Sequence, residues 1–223
     1  MLLAYKKWCS LVGLEEKTHQ TSGFDWCSKR EKSQDLRGGV ICDEMGLGKT
    51  ILMLGCIVTH RCAHTLIVVP PALLNQWKMC IKKFLFNHEV FVWHGAVAKK
   101  TSLEDLKKKP IVLTTYGMIS MRKKAGYKSK LWKVHWDRLI YDEAHHLRNY
   151  KTSTCKGAFQ LTSNIKWLVT GTPIQNKTSD LRVLFALLGK VVRGEEEMME
   201  CIRKYVLRRT KESVGIKIPE VST

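Results

Sequence analysis

Short, uniformly apolar runs punctuate the chain: Gly39-Val40-Ile41-Cys42, Leu66 to Val69, Val90 to Trp93, Ile111 to Thr114, Leu139 to Tyr141 and Ile165 to Thr170. Each is too short for a helix and lacks the apolar–polar alternation of a half-exposed strand, so each reads as a strand covered on both faces. Between them the period changes. Lys49 to Cys62 has a helical pattern, and Pro71 to Leu85 sets Leu74, Trp77, Ile81, Phe84 and Leu85 at three- and four-residue spacing, one face of a helix. Strand and helix in repeated alternation predict a doubly wound α/β fold with a mostly parallel sheet and helices on both faces. No internal repeat or low-complexity stretch interrupts the pattern.

Composition narrows the class. With 223 residues, 44% hydrophobic and 26% charged, the chain can bury roughly 70% of its unfolded surface, which excludes disorder for the bulk of it. The eight cysteines form no Cys-x-x-Cys pair or zinc-finger spacing and mostly lie in apolar runs, as reduced core residues do. Met1 to Ala4 is too short an apolar start for a secretory signal, and no window approaches the roughly 20 apolar residues of a membrane span. The expectation is a protein of the cytosol or nucleus with no membrane partner.

Charge adds a partner. A net charge of +18 is more than a small neutral metabolite calls for, and points to a polyanion. Half of that excess falls between Ala96 and Arg138, where twelve Lys or Arg face only Glu104, Asp105 and Asp137. Taken alone, such a run also fits a solvated surface that keeps the protein soluble.

Two segments carry chemistry. After the first apolar run comes Asp43-Glu44-Met45-Gly46-Leu47-Gly48-Lys49-Thr50, and then an apolar helix. Gly46 and Gly48 allow backbone N–H groups to face inward, and the helix start adds positive potential, as a phosphate-binding loop requires. Lys49 is placed to reach β and γ phosphates and Thr50 to ligate Mg²⁺. Asp43 stands where the strict pattern has glycine, and Asp tolerates unusual backbone angles better than most residues. The second segment, Leu139-Ile140-Tyr141-Asp142-Glu143-Ala144-His145, ends an apolar strand at the edge of a parallel sheet where ligands bind. There Asp142 would hold Mg²⁺ and Glu143 would polarise the attacking water.

Asp142-Glu143-Ala144-His145 resembles the DEAH-type motif II of superfamily 2 helicases, and neighbouring segments resemble one branch, the Swi/Snf-like ATPases. Asp43 to Thr50 resembles that family's motif I, in which Asp takes the first position. Leu66 to Trp77 resembles motif Ia, Ile111 to Tyr116 motif Ib, and Leu168 to Asn176 motif III. Upstream, His19-Gln20 with Gly23 and Trp26 is similar to the adenine-reading Gln motif, and Trp26 to Glu31 to the branch with transcription termination and helicase-like transcription factors. Arg208-Arg209-Thr210-Lys211 is similar to the segment leaving the first lobe of these motors.

The resemblance implies a RecA-like ATP-binding lobe over 38–190, a helical segment with the Gln motif over 1–37, and a C-terminal helix and linker over 191–223. It implies ATP and Mg²⁺ as cofactors, held by Gln20, Asp43, Glu44, Met45, Gly46, Leu47, Gly48, Lys49, Thr50 and Asp142. Glu143 then orients water, while Thr170 and Thr172 couple the γ-phosphate to the strand carrying Asp142. It also implies a second RecA-like lobe with arginine fingers, without which this chain alone should be nearly inactive. Double-stranded DNA is the implied substrate, tracked along its backbone by Thr114, Thr115, Lys78, Arg122, Lys123 and Lys124. Nucleosomes or transcription machinery are further partners, in the nucleus or, for a large DNA virus, in a cytoplasmic factory or virion. Trp77, Trp93 and Trp167 are read as core or helix–sheet packing. The alternative is a non-catalytic single-lobe module that holds DNA or a partner and uses nucleotide only as a structural ligand.

Overall fold

A computed structural model describes residues 1–86, 88–121, 129–171 and 178–215. The six apolar runs are strands: β1 (Gly38–Ile41), β2 (Thr65–Val69), β3 (Val90–Trp93), β4 (Ile111–Thr115), β5 (His135–Asp142) and β6 (Thr162–Val169). A seventh, β7 (Val206–Leu207), extends the sheet beside β1 and has no counterpart in the sequence pattern, because two residues are too few to carry a period. The order is β3-β4-β2-β5-β6-β1-β7, and every pairing is parallel.

Parallel neighbours need crossovers, and helices supply them. Two helices precede the first strand, α1 (Leu2–Leu11) and α2 (Thr18–Glu31), and the connections between strands carry α3 (Lys49–Thr59), α4 (Leu74–Phe84), α5 (Gly95–Lys100), α6 (Leu103–Lys107), α7 (Tyr116–Ile119), α8 (Ser153–Ala158), α9 (Thr178–Leu188) and α10 (Glu195–Tyr205). The expected helix from Pro71 is present with a different start: Pro71–Leu73 is a single 3-10 turn, and α4 begins at Leu74. No helix among the described residues is long and apolar enough to cross a membrane.

Alternate strand residues point to opposite faces, and the core divides accordingly. Ile41, Ile67, Leu113, Ile140 and Val169 pack under α1 to α4 with Trp8, Phe24, Met53 and Trp77. Val40, Leu66, Val112, Tyr141 and Leu168 pack on the other face with Leu131, Trp136, Leu184 and Phe185. All eight cysteines are free thiols, six of them buried. Between α2 and the sheet lies a charged cluster that no local sequence pattern marks. Glu31 accepts from Arg138 Nε at 2.7 Å and Nη2 at 2.6 Å, from Trp167 Nε1 at 2.8 Å, and lies 2.6 Å from His60 Nδ1. Both charged side chains of the Glu31–Arg138 pair are 0% exposed.

Register levels the strand ends that matter. Ile41 pairs with Val169, and Val169 with Asp142, so the loops after β1 and β5 leave the same edge of the sheet. With β6 between them, they stand about two strand spacings, roughly 10 Å, apart.

Candidate functional site

At this edge the loop after β1 turns through two left-handed glycines, Gly46 (φ 90°) and Gly48 (φ 82°), before α3 starts at Lys49. Gly48 is required twice over. Its backbone angle disfavours any side chain, and a Cβ there would run into the amide of Gln20 from α2. The Gln motif and the phosphate loop, far apart in sequence, therefore touch. The Lys49 ammonium is half-buried and bonds to the carbonyl oxygens of Asp43 (2.8 Å) and Glu44 (3.1 Å). Burial lowers its pKa from the ordinary lysine value, and Glu143, Asp43 and Asp142 pull the other way.

Across the cleft, Asp142 ends β5 with its side chain clamped. Trp77 Nε1 of α4 donates to its Oδ2 at 2.7 Å, and the Glu143 amide donates to its Oδ1 at 3.0 Å. On the other face of the sheet, Tyr116 Oη donates to its backbone carbonyl at 2.6 Å. Burial raises the Asp142 carboxyl above the usual carboxylate range, while the Trp77 bond favours the ionised form. Trp77 is thus buried, as expected, and also orients the carboxylate. Tryptophan carries a donor as well as an apolar body, but which acceptor it meets is a tertiary fact.

Glu143 is the one non-glycine residue with positive φ (52°) among the described residues. Such a conformation costs about 1–3 kcal/mol and concentrates where function over-determines the backbone. Its effect is to turn the chain sharply at the strand end so that Glu143 joins Asp142 on the cleft wall. Glu143 Oε2 lies 3.1 Å from His145 Nδ1, and the same nitrogen is 3.4 Å from Thr170 Oγ1 at the end of β6. The buried Thr170 also donates its backbone N–H to Ile41 at 2.9 Å, so it touches the strands or turns of both chemical segments. Thr172 lies outside the described residues.

Met45, Gly46, Gly48, Lys49, Thr50, Asp142 and Glu143 line one cavity of about 320 Å³, with Gln76 and Trp77. The residues fit a magnesium nucleotide. A half-buried ammonium rests on neutral carbonyls, no carboxylate among the described residues lies within ion-pair distance of it, and two carboxylates and a threonine hydroxyl face the same space. Asp43 and Glu44 do not line it. The Asp43 carboxylate is fully buried on Arg209, and Glu44 bonds to Lys211.

Two of the expected DNA contacts are buried. Thr114 is fully buried and donates to the Trp93 carbonyl at 2.8 Å, and Thr115, 1% exposed, has its hydroxyl 3.4 Å from His94 Nδ1. Neither hydroxyl is presented to a phosphate oxygen. Strand β4 lies between β3 and β2 with both faces covered, so its hydroxyls serve the interior. Lys78 stands on the exposed side of α4 with Lys82. Arg122, Lys123 and Lys124 lie outside the described residues.

A parallel sheet with a glycine loop and paired acidic residues at its carboxyl edge defines a phosphate-loop nucleotide-binding fold of the RecA-like type. The model of the SNF2-related domain matches residues 19–196, and the chain belongs to that family. It is similar to the probable global transactivator of Orgyia pseudotsugata multicapsid polyhedrosis virus, 32% identical over 91% of this chain and 44% of that protein. Transcription termination factor 2 of Drosophila melanogaster is 27% identical over 90% of the chain and 24% of its own length, and DNA repair protein RAD5 of Candida albicans 37% over 69% and 17%. Among solved structures, the Sulfolobus solfataricus SWI2/SNF2 ATPase core in complex with dsDNA superposes with a TM-score of 0.76 at 26% identity, over 91% of this chain and 46% of that one. The chain spans less than half the length of each of these proteins.

Proposed function

We propose that this chain is the ATP-binding lobe of a motor that moves on double-stranded DNA in repair, transcription or chromatin remodelling. The observation that carries the reading is the opposition of Lys49 and Thr50 to Asp142 and Glu143 across one cleft. Lys49 would neutralise β and γ phosphates, the Gly46–Gly48 turn would present backbone N–H groups, and Gln20 beside Gly48 would meet the base. Thr50 and Asp142 would hold Mg²⁺, which supplies charge neutralisation between phosphate oxygens. Glu143 would accept a hydrogen bond from the attacking water and align it with the γ-phosphate. Thr170, within reach of His145 and bonded to β1, would register the γ-phosphate and pass its presence to the turn carrying Glu143. The arginines that complete such a site belong on a second RecA-like lobe, so hydrolysis by this lobe alone should be slow.

Lys49→Ala should weaken ATP binding by tenfold or more, because it removes the one full positive charge that the loop can set against the phosphates. A titration with fluorescent ATP analogue tests this, and unchanged affinity would overturn the nucleotide reading.

Kinship with DNA repair proteins and the fold shared with a core solved on dsDNA support DNA as the track, in the nucleus or in a viral compartment where DNA is handled. With Thr114 and Thr115 turned inward, Lys78 and Lys82 on the exposed side of α4 are candidate contacts. Each phosphate contact releases counterions and adds about −0.9 to the slope of log affinity against log salt. Lys78→Ala with Lys82→Ala should therefore flatten that slope by up to ~2 and weaken all sequences alike. Parallel log–log lines for wild type and variant would remove α4 from the DNA surface.

A further inference from the structure

Asp43 is a fully buried carboxylate immediately before the phosphate loop, a place where negative charge opposes nucleotide binding unless it is matched. Its match comes from the other end of the chain. The Arg209 guanidinium spans both carboxylate oxygens, with Nε on Oδ1 at 3.1 Å and Nη2 on Oδ2, and its Nη1 donates to the His19 carbonyl at the start of α2. Helix α2 makes room for it: a Cβ on Gly23 would lie 2.6 Å from Nη2 and 2.7 Å from Nη1. The backbone is joined as well. Cys42 donates to the Leu207 carbonyl at 2.7 Å, Glu44 to the Arg209 carbonyl at 2.9 Å, and the Lys211 amide to Glu44 Oε2 at 2.7 Å. The segment 207–211 is thus zipped along residues 42–44, and the Asp43 and Glu44 carbonyls of that stretch hold the Lys49 ammonium.

We infer that Arg209 is a positioning residue for the phosphate loop, which makes nucleotide affinity depend on the docking of the segment after β7. The inference rests on the nucleotide reading above. Arg209 touches no phosphate in this scheme. It neutralises Asp43, and through the Asp43 and Glu44 backbone it sets where Lys49 stands. Movement of 207–211 away from the loop would leave Asp43 unmatched beside the phosphates and lower affinity without any change at Asp142 or Glu143.

The test compares nucleotide affinity, by fluorescent ATP analogue titration of the 223-residue chain well below the melting temperature of every variant, in a two-by-two set. Arg209→Ala should weaken binding at least tenfold in the wild-type background and less than threefold in the Asp43→Asn background, where no buried charge is left to match. Arg209→Lys, which keeps the charge and loses the fork, should fall between. An equal loss in both backgrounds, or no loss in either, overturns the inference. Lys49→Ala in the same experiment separates the two levels. If Lys49→Ala is weakened while Arg209→Ala is not, only this inference fails, and if neither is weakened the nucleotide reading fails. Should Arg209→Ala not fold, Gly23→Ala displaces the same guanidinium and should weaken binding fivefold or more. Wild-type affinity in a folded Gly23→Ala protein overturns the inference.

Discussion

Arg138→Ala should lower the unfolding free energy by about 3–5 kcal/mol, the cost of leaving a buried charge without its partner. Glu31 would keep only Trp167 and His60 around a carboxylate that water cannot reach. Urea denaturation followed by tryptophan fluorescence measures the loss, and a midpoint equal to that of the wild type would show that the pair contributes nothing. The pH dependence has a definite sign. Burial alone would raise the Glu31 pKa, but His60, Arg138 and Trp167 outweigh it and hold the carboxyl below the ordinary glutamate value. Its contribution is therefore present above the unfolded pKa, about 4.3, and is lost as pH falls through the lower folded value. Without Arg138 burial prevails, the folded pKa rises above the unfolded one, and the variant gains relative to wild type as the carboxyl protonates. The gap between the two should narrow as pH falls toward about 4. Replacing both partners by apolar or neutral groups, Glu31→Gln with Arg138→Met, should restore much of the loss.

In a form of the protein that carries the second lobe, Glu143→Gln should reduce ATP turnover by roughly 10²-fold or more while nucleotide affinity stays within about threefold of wild type. The amide keeps the volume of the side chain and its place on the cleft wall, and it loses the charge that draws a proton from water. Asp142→Asn should behave differently. The Trp77 indole already donates to Oδ2, so an amide nitrogen there would face a donor, and Mg²⁺-dependent tightening of nucleotide binding should fall. Turnover by burst-free steady-state assay, and titrations with and without Mg²⁺, separate the pair. Normal turnover by Glu143→Gln would end its assignment as the water-orienting group.

The six longer strands were legible because a parallel strand covered on both faces is a continuous apolar run, and the loop and the acidic pair were legible because each is contiguous in sequence. What the sequence concealed is pairwise and distant. Nothing near Trp77 marks Asp142 as its acceptor, and nothing near Arg138 marks Glu31, 107 residues away, as its partner. Thr114 and Thr115 are buried for a legible reason. They end an apolar run whose own pattern says that both faces are covered, which turns the hydroxyls toward the interior. Nothing near Arg209 marks its ion-pair partner either, since Asp43 lies 166 residues away.

The Glu31–Arg138 pair also fixes a dimension. From Glu31 back to Gln20, α2 runs about 16 Å at 1.5 Å per residue, and from Arg138 forward to its end at Asp142, β5 covers about 13 Å at 3.3 Å per residue. Helix and strand are rods pinned together at the far end of the sheet, and their free ends carry Gln20, beside Gly48, and Asp142, on the cleft wall. Deleting one residue between Gln20 and Glu31 would draw the helix end back by about 1.5 Å and turn it by about 100°, taking the amide off Gly48 while the strand end stays where it is. The spacing across the cleft is therefore gauged from a bolt on the opposite side of the molecule, and a length change in α2 would shift Gln20 against Gly48 while leaving the register of the sheet in place.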